Sequence, residues 1–386
     1  MDNRLYIEHA ALYTPEARIE NASVLIQNER ILTVGNTSET ESPQEAIRMD
    51  ARGLILTPGF IDLQLNGAFG DDLTANPEAI WRVAAQLPRY GITAFLPTLV
   101  TCPLTQIEQA RQIVQDRPAS FQGAEPLGLH IEGPFLNPQK KGAHNAKYLR
   151  NPDPALVEDW SVTNGVRLVT VAPELPNAVA IIKALAAQGV IVSAGHTMAT
   201  LDQANAGFAA GIRYATHLFN AMPPLDHRAP GIVGSVLSNP EWMTGLIPDG
   251  IHVHPSLVKM VWLNKGARGL NLVSDAMAAL GMPPGRYCLN DFDVIVSDCD
   301  ARLPDGTLAG SILPLAQAVR NLIAFTGCSL PDALATVTTT PARVLNLSHE
   351  RGHIAPGFIA DLVLLDSNLN VVITIAAGNL VYNQGL

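Results

Sequence analysis

Residues 127–134 read LGLHIEGP, an apolar run that ends on one carboxylate, Glu132, and then breaks at Gly133-Pro134. A buried parallel strand is a continuous hydrophobic segment, and where its C-terminal end faces an active site it delivers a single polar side chain to the rim. Three more stretches have the same shape: VIVSAGHT at 190–197 with His196, RYATHLFN at 213–220 with His217, and LNLVSDA at 270–276 with Asp275. Taken singly, a His or Asp at a strand end is more often a satisfied structural residue than a ligand. Four in succession, on otherwise apolar strands, point instead to a shared site. One carboxylate and two imidazoles make a three-ligand set that leaves a fourth position of a divalent cation open to water, while a separate aspartate is free to move protons. The pattern is that of a metal-dependent hydrolase.

Working outward, the same strand type recurs as GFIDLQL (59–65), ITAFLPTLV (92–100), RLVTVAPE (167–174) and TGLIPDG (244–250), which makes eight candidate strands. Helical spacing of apolar residues runs through PEAIWRVAAQLPRYG, LPNAVAIIKALAAQG, TLDQANAGFAAG and ILPLAQAVRNLIAFTG, each ending at a glycine suited to a helix C-terminus. Alternating strands and helices over residues 58–342 imply parallel strands with crossover helices, and eight such units are expected to close as a (β/α)8 TIM-like barrel. The flanks differ. Short period-two strands in RLYIEHAALYT, SVLIQNERILTVG and GLILT, and again in the last segment from His353, predict a small β-sandwich domain formed by both chain ends, residues 1–57 and 343–386.

With 386 residues, 47% hydrophobic and 16% charged, the chain is able to fill a large core. A formal net charge of −10 argues against a nucleic-acid or anionic-membrane partner and confines any anion site to a local basic pocket. No apolar run approaches the roughly 18 residues of a membrane span, and MDNRLYIEHA has no signal-peptide core, so a cytoplasmic location is expected. Cys102, Cys288, Cys299 and Cys328 lack CxxC spacing and are expected to be reduced thiols.

The phrases PGFIDLQLNGAFGDD, GLHIEGPFLNPQKKGAHN, AGHT, THLFNAM, HRAPG, IPDGIHVHP, LVSDAM and TLAGS occur in this order. Together they closely resemble the N-acetylglucosamine-6-phosphate deacetylases of the amidohydrolase superfamily. GFIADLVLLD near the end resembles amidohydrolases in general, whereas HIEGPFLNPQKKGAHN points to the deacetylases. The resemblance implies hydrolysis of an N-acetyl amino sugar phosphate to the free amine and acetate. It puts the metal on Glu132, His196 and His217 and the acid and base on Asp275, with His144 orienting or polarising the acetamide carbonyl. It also implies substrate contacts at Ala143, Asn220, Ala221, Arg228 and His252, a substrate wall at Leu308, Ala309 and Gly310, and a homodimer or higher homo-oligomer. Without the resemblance, Arg228 reads equally as a solvated loop charge.

The chemistry stands on its own. A divalent cation lowers the pKa of a bound water from about 15.7 toward 7, and an amine leaves only once protonated. Many amidohydrolases carry His-x-His on the first barrel strand, where this chain has Gln64 and Asn66, and RLVTVAPE ends on Glu174 with no lysine that could be carbamylated. Neutral amides are poor zinc ligands, so one divalent metal per chain is expected, with zinc ahead of iron, cobalt or manganese, and Gln64 and Asn66 contacting the metal's water or the polar rim. The readings that remain beside this one are the galactosamine epimer of the substrate, another metal-dependent amidohydrolase, and a scaffold that has lost its chemistry.

Overall fold

The structure is a computed structural model that describes residues 4–13, 18–38 and 45–385; Thr14, the end of the first expected strand, lies outside them. Eight parallel strands follow the eight expected segments: β1 Phe60–Leu65, β2 Ile92–Val100, β3 Leu129–Glu132, β4 Val166–Val171, β5 Ile191–Ala194, β6 Tyr214–Ala215, β7 Met243–Leu246 and β8 Leu270–Leu272. Each pairs with the next in chain order. Closure comes just beyond the ends of β1 and β8, where the Asp275 amide donates to the Gln64 carbonyl at 2.9 Å and the Asn66 amide to the Ala276 carbonyl at 2.7 Å. All nine residues of β2 are buried, which is why ITAFLPTLV is apolar without alternation.

Crossover helices form where the spacing predicts them at Ala178–Ala187, Leu201–Ala210 and Leu315–Thr326. The first predicted helix does not hold together. Only Ile80–Ala84 is α-helical, flanked by 3₁₀ turns Pro77–Ala79 and Leu87–Tyr90; Pro88 has no N–H to donate to the Ala84 carbonyl, so the α-helical ladder cannot run on through it. A three-stranded antiparallel sheet, Gly285–Leu289, Phe292–Val296 and Ala301–Arg302, follows β8 and had no counterpart among the expected elements.

The chain ends build one eight-stranded sheet around a core of their own. Ile55–Pro58 pairs antiparallel with Leu362–Leu365, which brings the last segment back onto the first. Period two divides that later strand between two cores: Leu362 and Leu364 pack with the sheet's own cluster, Val363 and Leu365 with the barrel's.

Candidate active site

Glu132 is the last residue of β3; His196, His217 and Asp275 lie just beyond β5, β6 and β8. The last three take left-handed backbone angles, with φ of 47°, 29° and 50°. Such angles cost a non-glycine residue about 1–3 kcal/mol and persist where surrounding structure enforces them, as at functional sites. Here the turn bends the chain out of the strand while its side chain stays in the barrel mouth.

The three side chains converge. His217 Nε2 lies 2.9 Å and His196 Nε2 3.3 Å from Glu132 Oε1, and the two Nε2 atoms are 3.2 Å apart. All three residues are buried. His196 Nδ1 sits 2.8 Å from the Lys140 carbonyl, an obligate acceptor, so Nδ1 carries a proton and Nε2 is the ring atom turned toward Glu132 and His217. The three candidate ligand atoms, one carboxylate oxygen and two imidazole nitrogens, lie within 4.8 Å of one another. The donor set therefore fits a divalent cation.

The electrostatics agree. Burial alone would raise the Glu132 carboxyl, but hydrogen bonds and charge from His196 and His217 outweigh it and hold the group well below the ordinary carboxylate range. Asp275 goes the other way. Burial, with the Glu132 charge beside it, pushes its carboxyl up to about 6, close to what proton transfer at neutral pH requires. His144 is lowered to about 3 by burial and by the neighbouring His196, so its ring is neutral. Its Nδ1 accepts the Thr101 backbone N–H at 3.1 Å, which leaves the proton on Nε2, 3.8 Å from Glu132 Oε2.

Gln64 and Asn66 stand beside the two carboxylates, and Asn66 is on the rim of the cavity over them. Gln64 Nε2 donates to Glu132 Oε1 at 3.1 Å, and Asn66 Nδ2 donates to Asp275 Oδ1 at 2.8 Å. Each amide orients a carboxylate, a task that needs an N–H and not a metal ligand.

A cavity of about 480 Å³ opens over this cluster. Ala143, His144, Asn220, Ala221, His252, Leu308 and Gly310 line it. His252 is held through Nδ1 by Asp249 Oδ2 at 2.6 Å. Ala309 is fully buried behind the wall, in the cluster with Met277. Arg228 lies on an exposed turn, where its backbone N–H donates to Asp226 Oδ1, and does not line this chain's cavity.

Several contributors escaped sequence reasoning. Thr101, through its backbone N–H with its hydroxyl beside it, sets the His144 tautomer, and the Lys140 carbonyl sets that of His196; the backbone atoms among these carry no residue signature. Glu174, at the end of RLVTVAPE, accepts from Thr197 Oγ1 at 2.5 Å, the Met198 amide at 2.6 Å and Asn137 Nδ2 at 2.9 Å, tying together the loops after β3 and β5. A strand ending on a carboxylate was the available clue.

Fold and site define a metal-dependent hydrolase on a (β/α)8 barrel. The Amidohydrolase family model matches residues 55–381. N-acetylglucosamine-6-phosphate deacetylase of Bacillus subtilis (strain 168) is 35% identical over 389 residues, covering 99% of this chain and 98% of that one; the Homo sapiens protein of the same function is 39% identical over 349 residues, covering 87% and 85%. Among solved structures, the N-acetylglucosamine-6-phosphate deacetylase of Pasteurella multocida superposes with a TM-score of 0.92 at 30% identity, covering 98% of this chain and 99% of that one. A mutant of the Mycobacterium smegmatis enzyme in complex with N-acetyl-D-glucosamine-6-phosphate gives 0.90 at 32% identity, covering 99% and 100%. The chain belongs to the amidohydrolase family and, within it, to the N-acetylglucosamine-6-phosphate deacetylases.

Proposed function

We propose that this chain hydrolyses the N-acetyl group of N-acetylglucosamine 6-phosphate, giving glucosamine 6-phosphate and acetate. The observation that carries this reading is the pairing of a buried Glu132, His196 and His217 cluster with a separate Asp275 raised to about 6 in the same cavity. Those three residues would hold one cation, zinc in our reading, and when bound it would supply the polarisation that makes water a nucleophile at neutral pH. Asp275 accepts the proton that water gives up and returns it to the departing nitrogen, which leaves as an amine and not as an amide anion. His144 donates from Nε2 to the acetamide oxygen as that oxygen becomes negative. Gln64 and Asn66 keep the two carboxylates in orientation throughout.

His252 and the Asn220–Ala221 turn are assigned to the sugar phosphate end, and Leu308 and Gly310 to the wall against the sugar. Arg228 extends this set only from a second copy of the chain, and its exposure supports that role in a homodimer. A cytoplasmic setting accords with four free cysteines and with the absence of any helix, among the described residues, long and apolar enough to cross a membrane.

The deciding assay is acetate release from N-acetylglucosamine 6-phosphate, set beside its galactosamine epimer and unphosphorylated N-acetylglucosamine. Turnover is expected to be fastest on the gluco phosphate. No acetate from any of the three, with metal-loaded protein, overturns the reading.

A further inference from the structure

Besides the imidazoles, two cationic side chains line the catalytic cavity, Lys140 and Arg302. Lys140 Nζ is engaged by the Met222 carbonyl at 3.0 Å. Arg302 stands on the three-stranded sheet that follows the barrel and is clamped on two sides, with Nε donating to Asp300 Oδ2 at 2.5 Å and Nη1 to the Gly306 carbonyl at 2.9 Å. No hydrogen bond among the described residues engages Nη2. Arg302 and His252 both line this cavity.

A phosphate monoester is best held by a planar pair of N–H donors whose direction is fixed beforehand, since a free arginine must surrender rotamer entropy to bind. Arg302 meets both conditions, and in a protein of net charge −10 it is a local cation where a dianion needs one. An ion pair that only braced the turn at 300–306 would explain the contacts to Asp300 and Gly306, but gives no use to Nη2 on a residue that lines the cavity. We propose that Arg302 is a specificity-determining residue that receives the substrate's phosphoryl group together with His252, from within the same chain. This inference rests on the reading of the substrate as a phosphorylated amino sugar.

The experiment compares kcat/KM for N-acetylglucosamine 6-phosphate and for N-acetylglucosamine in the metal-loaded wild type and in Arg302→Ala, Arg302→Lys and Asp300→Ala. In Arg302→Ala the ratio of phosphorylated to unphosphorylated substrate is expected to fall by about tenfold or more, through KM, with competitive inhibition by inorganic phosphate weakened in step. Arg302→Lys, which keeps the charge without the fork, should fall between. Asp300→Ala unclamps the guanidinium but keeps its charge, so the ratio should fall by less than in Arg302→Ala, whereas a purely structural clamp predicts that the two variants lose activity equally on both substrates. Equal loss on both substrates in Arg302→Ala overturns the proposal. A wild type with no preference for the phosphorylated sugar overturns the functional reading as well, so the two failures are distinguishable.

Discussion

Asn66 Nδ2 donates to Asp275 Oδ1 at 2.8 Å across the seam where the first and eighth barrel strands close. The contact stabilises the ionised carboxylate and opposes burial and the Glu132 charge, which raise its pKa. Asn66→Ala should therefore move the acid limb of the kcat/KM profile to higher pH, by about one unit or less. A limb that stays in place would remove Asn66 from the control of this proton.

The wild-type profile follows from the same group. Asp275 accepts a proton only when ionised, so the rate should fall toward low pH, losing about tenfold per unit below its pKa. That pKa is raised to about 6 by burial and by Glu132; a cation on Glu132 offsets part of the second cause, which places the holoenzyme limb at or below about 6. A limb more than a unit above 6 would contradict the assignment.

Asp275→Asn should keep fold and metal and lose about 10²–10⁴-fold in kcat, because the amide is nearly isosteric but cannot carry the proton. Elemental analysis of the purified variant beside its turnover checks both halves. Activity within a few-fold of wild type in a metal-loaded sample would assign the proton to another group.

For His144 the expected loss is that of an oxyanion donor, about 10²–10³-fold in kcat, with metal content unchanged. Replacing it with Gln, which retains an N–H, should lose less than replacing it with Ala. The order of the two variants is the measurement; equal losses would point to packing against His196, whose ring centroid lies 4.4 Å away.

Activity after chelation should return in full with one cation per chain. A second ion would need ligands from β1, and the structure has Gln64 and Asn66 already donating to Glu132 and Asp275. Titration of zinc, iron, cobalt and manganese into the stripped protein, read by elemental analysis, gives the stoichiometry. Full activity only at two bound ions would defeat the single-ion reading.

Arg228→Ala tests the second copy. If Arg228 reaches a partner's pocket, the variant should lose preference for phosphorylated substrate, and a demonstrated monomer of the wild type should show the same deficit. A monomer with undiminished preference would return Arg228 to the surface.

The amino-acid sequence by itself determined the eight barrel strands and the residues at their ends. Buried parallel strands must be continuously apolar, so an interruption by Glu132, His196, His217 or Asp275 stands out in one dimension. It also carried the return of the last segment to the first, because period-two alternation marks a sheet wherever it occurs. The split helix at Pro88 was legible in principle, being a local rule set aside in favour of apolar spacing. Only the tertiary structure decided what those end residues do to one another. The tautomers of His144 and His196 are set by backbone atoms of Thr101 and Lys140, the carboxylates are oriented by Gln64 and Asn66, and Arg302 reaches the cavity wall on a sheet of short, half-exposed strands. Such contacts join positions far apart in the chain, and hydrogen-bond direction and burial, which fix protonation, exist only once the barrel has closed.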